Sequence, residues 1–353
     1  MVARSKGVVA LEDRHGVEAD VAPLLAFLHE ATVDHAVLFP CDDRWLDVVA
    51  RLATVDGGSY PASVPGPDAV EQLTDKGVFA QTLDRLDIPR PKTFEVRSVD
   101  DLRPIEGEEM ASFFLKPRDS QRFTNEFHEK GIPLADRRSA FGKLERALAN
   151  GHALVAQERI VGPPGNHVFL DGFVDRHGRF AGLYARRRVR MFPPEFGNST
   201  DSVTIPLTEV EDAVASLRRL FEAIGYRGMF DAEFKRDTST GTHKIIEVNA
   251  RAWWQIELAR AAGVDVVRMA FLDALGLDVP AVERYLIGRR WVHTFPDLRA
   301  RLSTPWIQPD AARHDGWFHA RHAVLRWSDP RPAFSEFERV VGVALRLGPW
   351  HQP

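Results

Sequence analysis

At 353 residues with 44% apolar side chains, the chain is long enough for two or three packed units rather than one. Its 46 basic and 50 acidic residues are interspersed and leave a net charge of −4. With no long basic block, nucleic acid is excluded as the main partner.

The first residues, MVARSKGVVALEDRHG, lack an apolar core of signal-peptide length, and no run approaches about 18 apolar residues. The expectation is a soluble, cytoplasmic protein with no membrane segment. Residues 7 to 54 alternate between GVVAL, an apolar helix around Ala22 to Ala31, the strand HAVLF (35–39) and a helix from Asp42 to Ala53, a short α/β unit. Cys41 is the only cysteine, which excludes an internal disulfide and a thiolate metal cluster. It reads as a small buried hydrophobe at a strand end. Asp42 and Asp43 follow HAVLF, where both a substrate contact and a plain helix cap fit.

DGGSYPASVPGP (56–67) marks a linker or surface loop. A helix is predicted from about Asp75, capped by Thr74, with Phe79, Leu83 and Leu86 on one face and a stop before Pro89. ASFFLK (111–116) is a strand, and DSQRFTNEFHEKG (119–131), without periodicity, a mobile loop. Phe141, Leu144 and Leu148 give a helix closed by Asn150 and Gly151. Strands follow in ALVAQERIVG (153–162), HVFLDGFV and RFAGLYARRRVR. A helix opened by a Thr208–Glu211 capping box then runs through Val210, Val214, Leu217, Phe221 and Ile224 to Gly225. The tail, 291–353, rich in Trp, Pro and His, reads as an ordered extension covering the core.

The chemistry concentrates in MFDAEFKR (229–236), the turn DTSTGT and KIIEVNARAWWQ (244–255). Glu247, Asn249 and Arg251 alternate along one strand and so share a face. If facing residues sum to 480, Phe230 meets Ala250, Ala232 meets Val248 and Phe234 meets Ile246 on an apolar face, while Glu233 opposes Glu247 and Asp231 opposes Asn249. Two carboxylates about 5 Å apart at an effective dielectric near 20 repel by roughly 3 kcal/mol, so a cation is expected between them. Oxygen-only donors suit Mg²⁺ or Mn²⁺ rather than zinc.

A polyphosphate bridging that cation needs basic partners. Lys116 stands at a strand end in FFLKPRDS, Lys76 lies in the first turn of a helix, and Arg186, Arg188 and Arg190 share one face of LYARRRVR. Each has a bland alternative, a solvated side chain or a solvated arginine face; their joint occurrence carries the argument. His314, His319 and His322 read as ordinary polar surface, and Trp253 and Trp254 as core packing at a helix start.

With Lys76, LKPRDS, VAQERIVG, GMFDAEFKRD and IIEVNAR in this order, the chain resembles the ATP-grasp superfamily over about residues 30–290, and within it carboxylate-amine ligases of the D-aspartate ligase type. The resemblance implies an α/β (α+β) architecture: a shortened N-terminal α/β domain (1–72), a small subdomain (73–157), a large subdomain with the metal site (158–290) and a C-terminal extension (291–353), with ATP held between the two subdomains. It further implies Lys76 and Lys116 on the phosphates, Gln157, Glu158 and Ile160 along adenine, and His167 or Asn166 at the ribose. Glu233, Glu247 and Asn249 would hold Mg²⁺, and Arg251 would touch the transferred phosphoryl group. Relatives often carry a glycine-rich loop after the strand lysine; here the segment has one late glycine, and Ser120 and Thr124 would supply hydroxyls instead.

The expected activity is ATP-dependent amide or peptide bond formation through an acyl phosphate. The substrates would be a small carboxylate and an amine, such as an amino acid, a peptide or a cell-wall precursor, and Arg186 or Arg188 would stabilise the tetrahedral oxyanion. A kinase or carboxylase of the same fold, and a non-catalytic ATP-binding protein, are the alternatives; a homodimer is left open.

Overall fold

A computed structural model describes residues 19–30, 36–55, 59–105, 107–118, 120–193, 197–303, 316–326 and 328–338. The predicted strand GVVAL and His314 lie outside them. In chain order come α1 (Val21–Glu30), α2 (Asp43–Val55), α3 (Pro67–Thr74) and α4 (Lys76–Arg85). Next are β1 (Thr93–Val96), β2 (Phe113–Pro117), α5 (Ser120–Phe127), β3 (Ile132–Pro133), α6 (Arg137–Ala149) and β4 (Leu154–Glu158). They are followed by β5 (His167–Val174), β6 (Phe180–Phe192), β7 (Asn198–Ile205), α7 (Glu211–Ala223), β8 (Gly228–Arg236) and β9 (His243–Asn249). The last are α8 (Ile256–Ala262), α9 (Val266–Ala274), β10 (Arg290–Val292), α10 (Thr294–Ser303) and β11 (Arg321–His322).

The strands form two sheets. A four-stranded antiparallel sheet has the order β1-β4-β2-β3, and a seven-stranded sheet has the order β11-β10-β7-β6-β5-β8-β9. The small sheet packs on α5 and α6 through Phe113, Leu115, Phe123, Leu144 and Ala156. The large sheet is covered on both sides. Val168, Leu170, Ala232, Phe234 and Ile245 meet α2, α3, α4 and α7 on one face, and Phe173, Tyr184 and Trp291 meet α8 and α9 on the other. Alternating in-out residues on β5 and β8 therefore serve two interiors at once.

Several local expectations change. HAVLF makes no strand: residues 36–40 are irregular, with Leu38 N–H donating to Pro61 O at 3.0 Å. Cys41 is consequently exposed, not buried. Asp42 is a helix cap, accepting from Trp45 N–H at 2.9 Å. Asp75, not Thr74, caps α4, taking the N–H groups of Gly77 and Val78, because the Thr74 hydroxyl donates back to Val70 O within α3. The Thr208–Glu211 box is not used: Leu207–Glu209 is a 3₁₀ turn, and wholly buried Val210 precedes the helix.

The expected mobile loop contains α5. Phe123 and Phe127, one helical turn apart, stack at 4.4 Å, and both meet His152 edge-on, so the helix is fixed by a partner far away in sequence. Part of the tail extends the large sheet through β10 and β11. Trp253 is buried, whereas Trp254 is exposed. Among the described residues no helix is long and apolar enough to cross a membrane.

Candidate active site

The β8–β9 ladder pairs Asp231 with Asn249, Ala232 with Val248 and Glu233 with Glu247. Beyond Glu233 the register slips by one, so Phe234 faces Ile245 rather than Ile246; Ile246 is the extra residue of a β-bulge. The ladder ends at Asn249, so Phe230 and Ala250 are not a ladder pair. Phe234 and Ile245 remain in the core, and Glu233 and Glu247 project together on the opposite face.

Glu233 Oε1 accepts from His167 Nδ1 at 2.7 Å and from Arg188 Nη2 at 3.1 Å. Burial works against its charge, but Arg188, His167 and Lys116 outweigh it and hold the carboxyl well below the usual range. His167 is pushed down to about 4 by burial and then by Arg188. It is therefore neutral at pH 7, with its proton on the nitrogen facing Glu233. Glu247 Oε2 receives Lys116 Nζ at 3.2 Å, an ion pair between β9 and the small sheet.

Asn249 Nδ2 donates to Asp231 Oδ2 at 3.3 Å, and its Oδ1 accepts from Arg251 Nη2 at 3.1 Å. Arg251 is itself held by Asp43, with Nε at 2.7 Å and Nη2 at 3.3 Å, which brings the start of α2 to the edge of the site. From the other side, Lys76 Nζ donates to Pro117 O at 2.5 Å and Arg118 O at 2.9 Å, so it lies at the end of β2 close behind Lys116.

The donor set fits a hard divalent cation. Glu233 Oε2 and Glu247 Oε1 accept no hydrogen bond among the described residues, and Asn249 contributes an amide oxygen beside them. Among those residues no group of three or more His, Cys, Asp and Glu is placed to hold a metal, so such an ion has two acids and an amide here, not a three-acid cluster.

Other expected residues stand apart. Arg186 is wholly buried; its Nε donates to Asp171 at 2.6 Å and its Nη2 to Asp231 at 2.8 Å. It stacks on the Phe169 ring at 3.8 Å. The solvated arginine face is thus corrected: Arg188 and Arg190 are buried too, and irregularities after Arg188 send Arg190 to Asp297 at 2.7 Å instead. Gln157 Nε2 donates to Thr93 Oγ1 at 3.3 Å, Glu158 Oε2 accepts from Lys92 N–H at 3.0 Å and Lys244 Nζ at 3.4 Å, and Ile160 is buried. These lie where the chain leaves the small sheet for β5. Ser120 opens α5; its side chain is outside the described set. Thr124 Oγ1 donates to Glu129 O at 3.3 Å.

Sequence reasoning missed Lys130, whose Nζ donates to Asn198 Oδ1 at 2.8 Å. Because β2 and β3 pair Leu115 with Ile132, Lys130 leaves the neighbouring strand close to Lys116. Only its place two residues before Ile132 marked it, and a lone lysine in a polar run gives no such signal.

No family model matches the sequence, and no curated protein matches it. Solved structures do. The biotin carboxylase of Campylobacter jejuni superposes with a TM-score of 0.59 at 14% identity, over 77% of this chain and 61% of that one. The N5-carboxyaminoimidazole ribonucleotide synthetase of Thermus thermophilus gives 0.56 at 19% identity, over 76% and 68%. The L-amino acid ligase of Bacillus licheniformis gives 0.54 at 15%, over 72% and 61%. The chain thus spans under two thirds of the length of the carboxylase and of the ligase. Its fold is the ATP-grasp fold, α+β, with the two sheets joined here by the Lys116–Glu247 ion pair.

Proposed function

We propose that the protein is an ATP-dependent carboxylate-amine ligase that joins a small carboxylate to an amine with release of ADP and phosphate. One observation carries this reading: Glu233 and Glu247 oppose each other, each with one oxygen that accepts no hydrogen bond among the described residues, and Lys116 reaches Glu247 from the small sheet. A carboxylate resists attack by an amine, and converting it to an acyl phosphate supplies a leaving group. Bound Mg²⁺ or Mn²⁺ would neutralise charge on the transferring phosphoryl group.

The chain's own residues do the rest. Lys116, at the end of β2 in the small sheet, and Lys76, on α4 with its Nζ at the end of β2, hold the phosphates. Glu233, Glu247 and Asn249 hold the cation, and neutral His167 together with Arg188 fixes the Glu233 carboxylate. Gln157, Glu158 and Ile160 lie at the crossing where adenine would sit. Arg251, paired with Asp43 at 2.7 Å, offers a guanidinium to the transferred phosphoryl group or the acyl phosphate once that pair exchanges. Arg186 takes no part in the chemistry, since both its neighbours are buried aspartates.

An ADP-release assay over paired acids and amines with Mg²⁺ tests this. Release that requires both an acid and an amine, and collapses in Glu247→Gln, is the expected outcome; no pair stimulating turnover defeats the proposal. A second reading, ATP-dependent carboxylation, is favoured by the likeness to a carboxylase, and ADP release that requires bicarbonate in place of the organic acid selects it.

A further inference from the structure

The segment after the strand lysine cannot form a glycine-rich cradle. From Thr124 onward its amides turn into the α5 ladder, with His128 N–H on Thr124 O at 2.9 Å. The Thr124 hydroxyl is engaged by Glu129 O, and Phe123 and Phe127 pin the helix against His152. From Thr124 to His128, then, the backbone donors of this wall are spent within the helix and do not reach a triphosphate.

Lys130 follows the C-terminal end of that helix, past the amides it uses up. Gly131 follows it, and a Cβ there would lie 2.8 Å from Leu115 O, so the chain runs tight against β2 and sets the Lys130 side chain beside that of Lys116. The two lysines grip the large sheet at separate strands: Lys116 meets Glu247 on β9, and Lys130 meets Asn198 on β7. Between them stand Glu233 and Arg188. Lys130 opens to solvent on one side, yet its walls desolvate the ammonium and lower its pKa, with Glu247 and Glu233 pulling it back up and Arg188 and Lys116 pushing it down. Three cations here face two carboxylates, a surplus that suits a polyanion. The partner of Lys130 is a neutral amide oxygen, and a phosphate oxygen in its place adds the attraction between full charges that an amide lacks.

We propose that Lys130 is the ligand of the nucleotide's terminal phosphate, a side-chain cap standing in for a backbone cradle, with Asn198 as its resting partner. This rests on the ATP reading above.

Calorimetric binding of ADP and of the non-hydrolysable analogue adenylyl imidodiphosphate, each with Mg²⁺, tests it on the full chain. Lys130→Met is expected to weaken the analogue by about tenfold or more and ADP by less than about twofold, while Lys130→Arg retains most of the analogue affinity. Asn198→Ala, which leaves the lysine in place, is expected to keep the preference for the analogue. Equal weakening of both nucleotides in Lys130→Met, or no change in either, overturns the proposal. Failure of the unmodified protein to bind either nucleotide overturns the ATP reading itself, a distinct result.

Discussion

Arg186 and Arg188 stand two residues apart on β6 and face the same side of the large sheet, yet they sit in opposite kinds of environment. Arg186 lies between Asp171 and Asp231, wholly enclosed. Burial weighs against its charge, but the two aspartates outweigh it and keep it protonated; burial, offset only in part by Arg186, pushes Asp231 up. Its Nη1 and Asp171 Oδ1 find no hydrogen-bond partner among the described residues. Arg188 instead shares Glu233 with His167, and next to that carboxylate Glu247 keeps 42% of its side chain exposed. A closed charge cluster leaves no group for a ligand; an open one keeps oxygens and ammonium groups within reach of solvent. The lesson is that charge alone on this face does not mark function. Access does.

The largest expected effect tests the closed cluster. Arg186→Leu leaves Asp171 and Asp231 buried without their cation and should cost about 3–5 kcal/mol in urea unfolding; replacing both aspartates with asparagine in the same variant should recover much of it. A stable single variant would break the contrast. Glu247→Gln is the converse. Unfolding should move little, while substrate-dependent ADP release falls at least about a hundredfold, roughly 2.7 kcal/mol of transition-state stabilisation. An equal loss of stability would put Glu247 with the closed group.

Asp75→Ala sharpens the contrast at the helix bearing Lys76. Losing the cap on the N–H groups of Gly77 and Val78 should cost about 1 kcal/mol and raise KM for ATP while leaving kcat nearly unchanged. The smallest effect concerns Asp237, held below its usual pKa by a hydrogen bond from Lys244 and then by Ser239. A depressed carboxyl stabilises above its unfolded pKa, near 3.9, and the gain fades as pH falls below that value. Asp237→Asn should therefore be less stable at pH 7 by at most about 1 kcal/mol, with the difference closing below about pH 4 in urea midpoints measured across pH.

Much of the site could be read before the fold was seen, because strand alternation is local. Three ladder pairs, Asp231–Asn249, Ala232–Val248 and Glu233–Glu247, follow from period-two burial. What escaped depended on distant partners. The enclosure of Arg186 comes from Asp171 on a neighbouring strand, since a run of arginines looks the same whether acids lie over it or water does. The α5 helix needed His152 to hold its phenylalanines. Thr74 and Asp75 are both chemically able to cap, and the choice turns on α3, eight residues from Pro67 to Thr74 that the Gly- and Pro-dense stretch before them hardly announces. The arginine clamp of Asp43 joins residues 208 apart, beyond any pattern along the chain.

The surplus residue Ile246 sits between the opposed glutamates and the reverse turn at 237–242. Rearrangements at the hairpin tip are thereby absorbed distal to Glu233, as a slip joint takes up movement in a pipe. The tip stays tied to Val161 through Thr238 at 3.3 Å, so a reporter peptide spliced there has to leave that bond in place for the two acids to keep their mutual alignment.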